Sequence, residues 1–287
     1  MSSSTLTRPA PTLDQAPEDY RRRAGLVVER RPARLRPALG RLVRGSAAIV
    51  VFAALWEVAP RLGLVDAVFL PPLSTSLAAL ADLAGSGQLT AHLQASLTRG
   101  LVGLTIAVST AIPLGALIGR SPSVARFLNP VLELFRNTAA LALLPVFVLI
   151  LGIGETSKIA LVVYACFFPV LLSTITGVRT VDPLLLKSAR SLGLSPLQLF
   201  TKVTLPAAVP TIFTGVRMAG AASILVLVAA EMVGARAGLG YLVTAAQQNF
   251  QIPAMYAGII TIALVGLSIN AVLLLAERRL SRWRPTS

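Results

Sequence analysis

The chain has 287 residues, of which 55% are hydrophobic and 13% charged, with a mean hydropathy of +0.75. A soluble domain has about a quarter of its residues charged, so this chain lacks the polar surface of one and most of it is expected to face lipid. The net charge of +14 does not form a nucleic-acid-binding face, because the basic residues cluster at the termini and between apolar runs. One cysteine, Cys166, excludes an intrachain disulfide, and one histidine, His92, excludes a multi-histidine metal site.

Residues 1–45 carry ten arginines against Asp14, Glu18, Asp19 and Glu29, with several prolines and no early apolar core. The segment does not read as a secretory signal but as a largely disordered, basic cytoplasmic tail. Crossing roughly 30 Å of hydrocarbon takes about 20 mainly apolar residues in a helix. Six windows qualify: about 46–64, 97–119, 137–154, 157–177, 209–232 and 254–276. Asn137, Thr138 and Pro145 interrupt the third, and a tight turn near Gly154-Glu155 makes the third and fourth an antiparallel hairpin. After the first window, "PPLSTSLAALADLAGSG" offers Ser74 or Thr75 as the N-cap of a short helix on the outer surface. Residues 46–92 therefore read as the first span plus an interfacial helix, 93–277 as a five-helix core, and 278–287 as a basic cytoplasmic tail.

The basic residues orient this arrangement. With both termini in the cytoplasm, Arg61, Arg99, Lys158 and Arg236 lie outside and the remaining 22 of the 26 lysines and arginines lie inside. That imbalance follows the positive-inside rule and requires an even number of spans, which six satisfies; Trp283 would sit at the inner interface.

The cytoplasmic connection between spans four and five, about 182–207, contains "KSARSLGLSPLQLFTKVTLP". Asp182-Pro183 is an N-cap and first-turn pair, and Gly193 suits a left-handed C-cap. Ser195-Pro196 starts a second short helix, "PLQLFTKV", which Leu205-Pro206 and Pro210 are expected to end. The residues alone support two readings of this hairpin: an interfacial helix pair that snorkels its charges, or a docking element for a cytoplasmic partner.

Within the spans, Glu57 is an intramembrane acid, and such groups are candidates for function or for a hydrogen bond to a neighbouring helix. Arg217 lies about two turns into span five and can snorkel or meet a ligand. Glu231 and Arg236 flank the outer end of that span and could form an outer gate or contact a partner. Gly215, Ala219, Gly220, Ala221 and Ala222 permit close helix approach, which points to span five as lining a path or an interface between copies. No G-x-x-x-x-G-K-[ST] phosphate loop, paired acids, histidine cluster or nucleophile–base set is present, so an enzyme is disfavoured. An ion-coupled secondary transporter is the alternative function; it would use intramembrane acids or broken helices, and only Glu57 lies deep in a span.

The hairpin resembles the Glu-Ala-Ala signature of importer-type ABC transporter permeases: three residues, Gly, nine residues, Ile, one residue, Leu-Pro. Here it reads Lys187-Ser188-Ala189, three residues, Gly193, nine residues, Val203, Thr204, Leu205-Pro206. Lys187 replaces the usual Glu and Ser188 the usual Ala. "LWEVAPRLGLV", "LGIGETSKIAL", "FFPVLLSTITGVRTVDP" and "AEMVGARAGLGYLV" resemble the nitrate/sulfonate/taurine/bicarbonate branch of that family, over about residues 50–283. "FRNTAALALLP" departs from it by lacking prolines near Asn137–Ala140.

This resemblance implies an all-α integral membrane protein of the type I ABC importer kind, with six transmembrane helices and a cytoplasmic coupling-helix hairpin. It also implies a multi-pass subunit of the cell membrane that hydrolyses no ATP itself and binds no cofactor. ATP and Mg would be held by a separate ABC ATPase docked on Lys187, Ser188, Ala189, Gly193, Leu197, Phe200, Leu205 and Pro206. The other implied partners are an extracytoplasmic substrate-binding protein and a second permease copy in a homodimer. The cargo would be a small solute such as an aliphatic sulfonate, taurine or nitrate, moved by alternating access, with Glu57, Arg217 and Glu231 as candidate pathway or gate residues.

Overall fold

The computed structural model describes residues 36–280. The chain divides into two units, residues 1–54 and 55–287. Residues 1–35 of the basic tail and 281–287, including Trp283, lie outside the described residues. Helix α1, Arg36–Arg61, begins ahead of the expected boundary at 46 and covers 46–61 of the first window.

Chain order then gives α2 (Leu73–Gly85), α3 (Gln88–Arg120), α4 (Pro122–Asn137), a 3-10 turn (Ala140–Leu143), α5 (Leu144–Leu151) and α6 (Glu155–Arg179). These are followed by α7 (Pro183–Ser191), α8 (Pro196–Leu199), a π turn (Phe200–Thr204), α9 (Leu205–Met232), α10 (Leu239–Gln248) and α11 (Ile252–Leu280). Among the described residues, four helical stretches are long and apolar enough to cross a membrane: α3, α6, the run Pro196–Met232 and α11.

The third expected span differs from the sequence reading. The window 137–154 is not one helix: α4 and the segment Ala140–Leu151 meet at an 85° bend. Thr138 and Ala139 are extended (ψ 121° and 119°), which breaks the helix, and Pro145 opens α5 in its first turn, where a missing N–H costs nothing. The turn into α6 is as tight as expected, with a left-handed residue at Gly152 (φ 80°).

The end of the hairpin is a second correction. Pro206 and Pro210 do not terminate a helix; Pro196–Met232 runs on as one 37-residue stretch. A proline ring clashes with the carbonyl four residues back, and the π turn over Phe200–Thr204 widens the helix there, with Thr204 Oγ1 donating to the Leu199 carbonyl at 3.3 Å. A third correction concerns α2, which is preceded by Pro72 rather than capped by Ser74 or Thr75. Ser74 lies inside the helix, and its N–H and hydroxyl both donate to the Glu57 carboxylate at 2.9 Å.

Helix α6 is the centre of the bundle, packed along α3 on one side and α9 on the other. In lipid, such packing rests on close van der Waals contact rather than on the hydrophobic effect, and many of the buried residues are small or β-branched. Ala107, Ala111, Val162, Cys166, Val170, Ala208 and Ala219 form one continuous cluster. Gly215 of α9 illustrates the fit: a Cβ there would stand 2.4 Å from Ser173 Cβ on α6. Cys166 donates from Sγ to the Ala219 carbonyl at 3.3 Å and is fully buried.

Candidate coupling site

The hairpin between α6 and α9 is built by its own caps. The Asp182 carboxylate accepts from the Leu184 N–H at 2.8 Å, and Pro183 fills the first turn of α7. Gly193 follows the end of α7 at φ 79°, a left-handed conformation that L side chains rarely adopt. Ser195 and Gln198 then form a reciprocal capping box: Ser195 Oγ accepts from the Gln198 N–H at 3.3 Å, and Gln198 Oε1 accepts from the Ser195 N–H at 3.0 Å. The sequence carries that box as Ser-x-x-Gln, a signal that the Ser195-Pro196 start does not itself use.

These caps sort the hairpin's side chains into two sets. Ala189 and Leu199 are buried, Phe200 and Leu205 are half-buried against the α3–α6–α9 core, and Pro206 is half-buried. The Arg120 guanidinium lies over the Phe200 ring at 5.8 Å, tying the hairpin to the end of α3. Lys187, Ser188, Gly193 and Leu197 are exposed. Leu197 belongs to a group of large apolar residues left outside, with Leu184, Leu185 and Leu192. A cleft of about 430 Å³ separates the hairpin base from the bundle and is lined by Gly119, Arg120, Leu186, Arg190, Phe200 and Thr204, among others.

The three candidate pathway residues do not come together. Glu57 accepts from Ser74 and pairs with Arg61 one turn along α1, so it anchors the start of α2. Trp56 supports the same corner, donating from Nε1 to the Pro71 carbonyl at 3.1 Å. Arg217 pairs with Glu277 of α11 at 3.4 Å instead of standing alone. Arg236 is exposed.

Glu231 sits in a buried charge cluster at the end of the bundle opposite the hairpin. Its side chain is 0% exposed, and Arg99 of α3 donates to it from Nη1 at 2.6 Å. The same guanidinium pairs through Nε and Nη2 with Glu155 at the start of α6, whose side chain is 63% exposed. One arginine thus ties the ends of α3, α6 and α9, which is the fork geometry only Arg supplies.

The cluster also seats the loop that leads into α10. Arg99 donates to the Ala237 carbonyl at 2.6 Å, Glu231 accepts from the Gly240 N–H at 3.0 Å, Ser96 Oγ accepts from the Leu239 N–H at 2.8 Å and donates to Glu231, and His92 Nδ1 accepts from the Gly238 N–H at 3.2 Å. Gly238 has φ 129°, and a Cβ on it would lie 2.3 Å from the Glu231 carboxylate carbon, so glycine is needed twice over. Sequence alone places Arg99 among the outer charges and Glu155 in the turn before α6, with nothing to join them to each other or to Ser96. The available signal was an arginine inside the apolar window 97–119.

A broken span, an α6-centred bundle and a doubly capped hairpin define the permease fold of type I ABC importers. The solved MetNI methionine ABC transporter in an inward-facing form has this fold: TM-score 0.60 at 17% identity, over 69% of this chain and 98% of that one. The chain belongs to the family of binding-protein-dependent transport system inner membrane components, whose model matches residues 111–282. It is 37% identical over 258 residues to the putative aliphatic sulfonates transport permease protein SsuC of Bacillus subtilis (strain 168), covering 90% of this chain and 92% of that protein. With the taurine transport system permease protein TauC of Escherichia coli (strain K12), identity is 39% over 240 residues, 82% of this chain and 87% of the other. It is an ABC importer permease of the sulfonate/taurine/nitrate branch, a membrane transport subunit.

Proposed function

We propose that the chain forms the membrane path of an importer for a small organosulfonate, taurine, nitrate or similar anion. A separate ATPase subunit binds ATP and Mg and docks on the hairpin, with both termini and the hairpin in the cytoplasm. A second copy of the chain completes the path, and an extracytoplasmic binding protein delivers the cargo to the opposite face. The observation that carries this reading is the exposed apolar group Leu184, Leu185, Leu192 and Leu197 on a hairpin whose helices are fixed by their own caps. Exposed apolar residues on a charged, rigid projection suit a groove on a soluble partner.

The buried set gives the hairpin leverage. Force applied at Leu197 reaches α9 through a continuous helix, and reaches α3 through the Phe200–Arg120 contact. Motion of the hairpin would thereby tilt spans on both sides of α6, as alternating access requires. Lys187 stands exposed where an acid is usual, so the ATPase surface facing it is acidic or apolar.

Co-purification with the ATPase tests the docking role. Leu197→Asp, alone and with Leu192→Asp, is expected to abolish assembly while the permease still elutes as a folded species. Lys187→Glu is expected to weaken assembly if its counterpart is acidic. Full assembly by the double aspartate variant would remove the hairpin from the docking site.

A further inference from the structure

Arg126 of α4 and Arg179, the last residue of α6, line one cavity of about 280 Å³ together with Ala125, Asn129 and Pro130. Neither arginine forms an ion pair among the described residues. No acid lines the cavity; Glu133, two turns along α4 from Arg126, lies outside the lining. Both arginines are exposed, so an anion seated there meets two cationic donors and no competing acid. Asn129 adds a neutral donor.

Position selects the kind of anion. Arg179 ends a membrane-length helix, so the cavity lies at the level where hydrocarbon gives way to headgroups. Beside it, α4 leaves Phe127, Val131 and Leu134 exposed, with Phe127 81% accessible. An amphipathic helix with that apolar row lies in the interface with its basic residues at headgroup depth.

We infer that Arg126, Asn129 and Arg179 form a binding site for a phosphate-bearing anion, whose source is the headgroup of an anionic phospholipid with its acyl chains along Phe127 and Val131. Each arginine forks onto phosphate oxygens, and the bound headgroup fixes the start of α4, the helix that leads into the 85° bend. The inference uses only the level of the site in the membrane and stands whichever solute is carried.

Native mass spectrometry of the permease released from nanodiscs of equal phosphatidylglycerol and phosphatidylcholine tests it. Retained phosphatidylglycerol is expected to fall about fivefold for Arg126→Gln or Arg179→Gln, and to be unchanged in Arg278→Gln, which removes one positive charge elsewhere. A free anion as the source would appear as loss of retained lipid when millimolar inorganic phosphate is added. Equal loss in all variants would reduce the effect to overall charge and overturn the site, as would no loss in any. Circular dichroism of each variant separates loss of binding from loss of folding.

Discussion

The guanidinium of Arg99 and the carboxylate of Glu231, 132 residues apart, meet at 2.6 Å in a pocket where the acid is wholly buried. Glu231 depends on this pair the more, because Arg99 keeps Glu155 as a second partner. Removing one partner of a buried pair typically costs about 3–5 kcal/mol, because the other stays desolvated without compensation. Arg99→Met strips buried Glu231 of its ion-pair partner and should lower the unfolding temperature in detergent more than Glu231→Leu, which leaves Arg99 paired with Glu155, and the double variant should recover part of the loss. Equal, additive losses would mean the two side chains are not coupled.

Glycine at 238 should be far less replaceable than glycine at 193. At Gly193 a side chain meets nothing within 4 Å, so Gly193→Ala bears only the left-handed backbone cost, about 1–2 kcal/mol. At Gly238 the added Cβ overlaps the Glu231 carboxylate and displaces the arginine fork with it. Thermal unfolding of the two alanine variants should rank Gly238→Ala well below Gly193→Ala.

Glu57 should be structural in effect. Its carboxylate holds the N–H and hydroxyl of Ser74 at the start of α2 and pairs with Arg61, contacts within one corner of the fold. Glu57→Ala is expected to increase proteolysis of the 62–74 connection while leaving cargo selectivity unchanged. A shift in which solute competes for uptake would instead place Glu57 on the path.

The orientation can be read by thiol labelling. Cys166 is fully buried and should not react in the folded protein. On a Cys166→Ala background, Ser195→Cys should react with an impermeant maleimide only from the cytoplasm, and Ser86→Cys only from outside. The reverse pattern would invert the topology.

Helices α3, α6, α9 and α11 were legible in the sequence because a membrane helix must be both long and apolar, and runs of that kind are visible without tertiary information. The hairpin's caps were equally legible: Asp182, Gly193 and Ser195 act locally, within three residues of what they bond. The bent span was not. Arg126, Glu133 and Arg136 make α4 too polar to pass as part of a span, and Pro145 was read as an interruption when it starts α5. Pro206 misled in the same way, because a π turn absorbs a proline that would otherwise end a helix. The cluster around Arg99 was hidden for a different reason: its partners come from α6, α9 and the loop before α10, and only the fold brings them together.

The most direct test of the account is uptake by proteoliposomes holding the permease, its ATPase and its binding protein, with labelled taurine or an alkanesulfonate outside. Uptake should require ATP on the side of the hairpin and should persist when an uncoupler collapses the proton gradient. Uptake that survives ATP depletion and stops with the uncoupler would contradict an ATP-driven importer and point to ion-coupled transport.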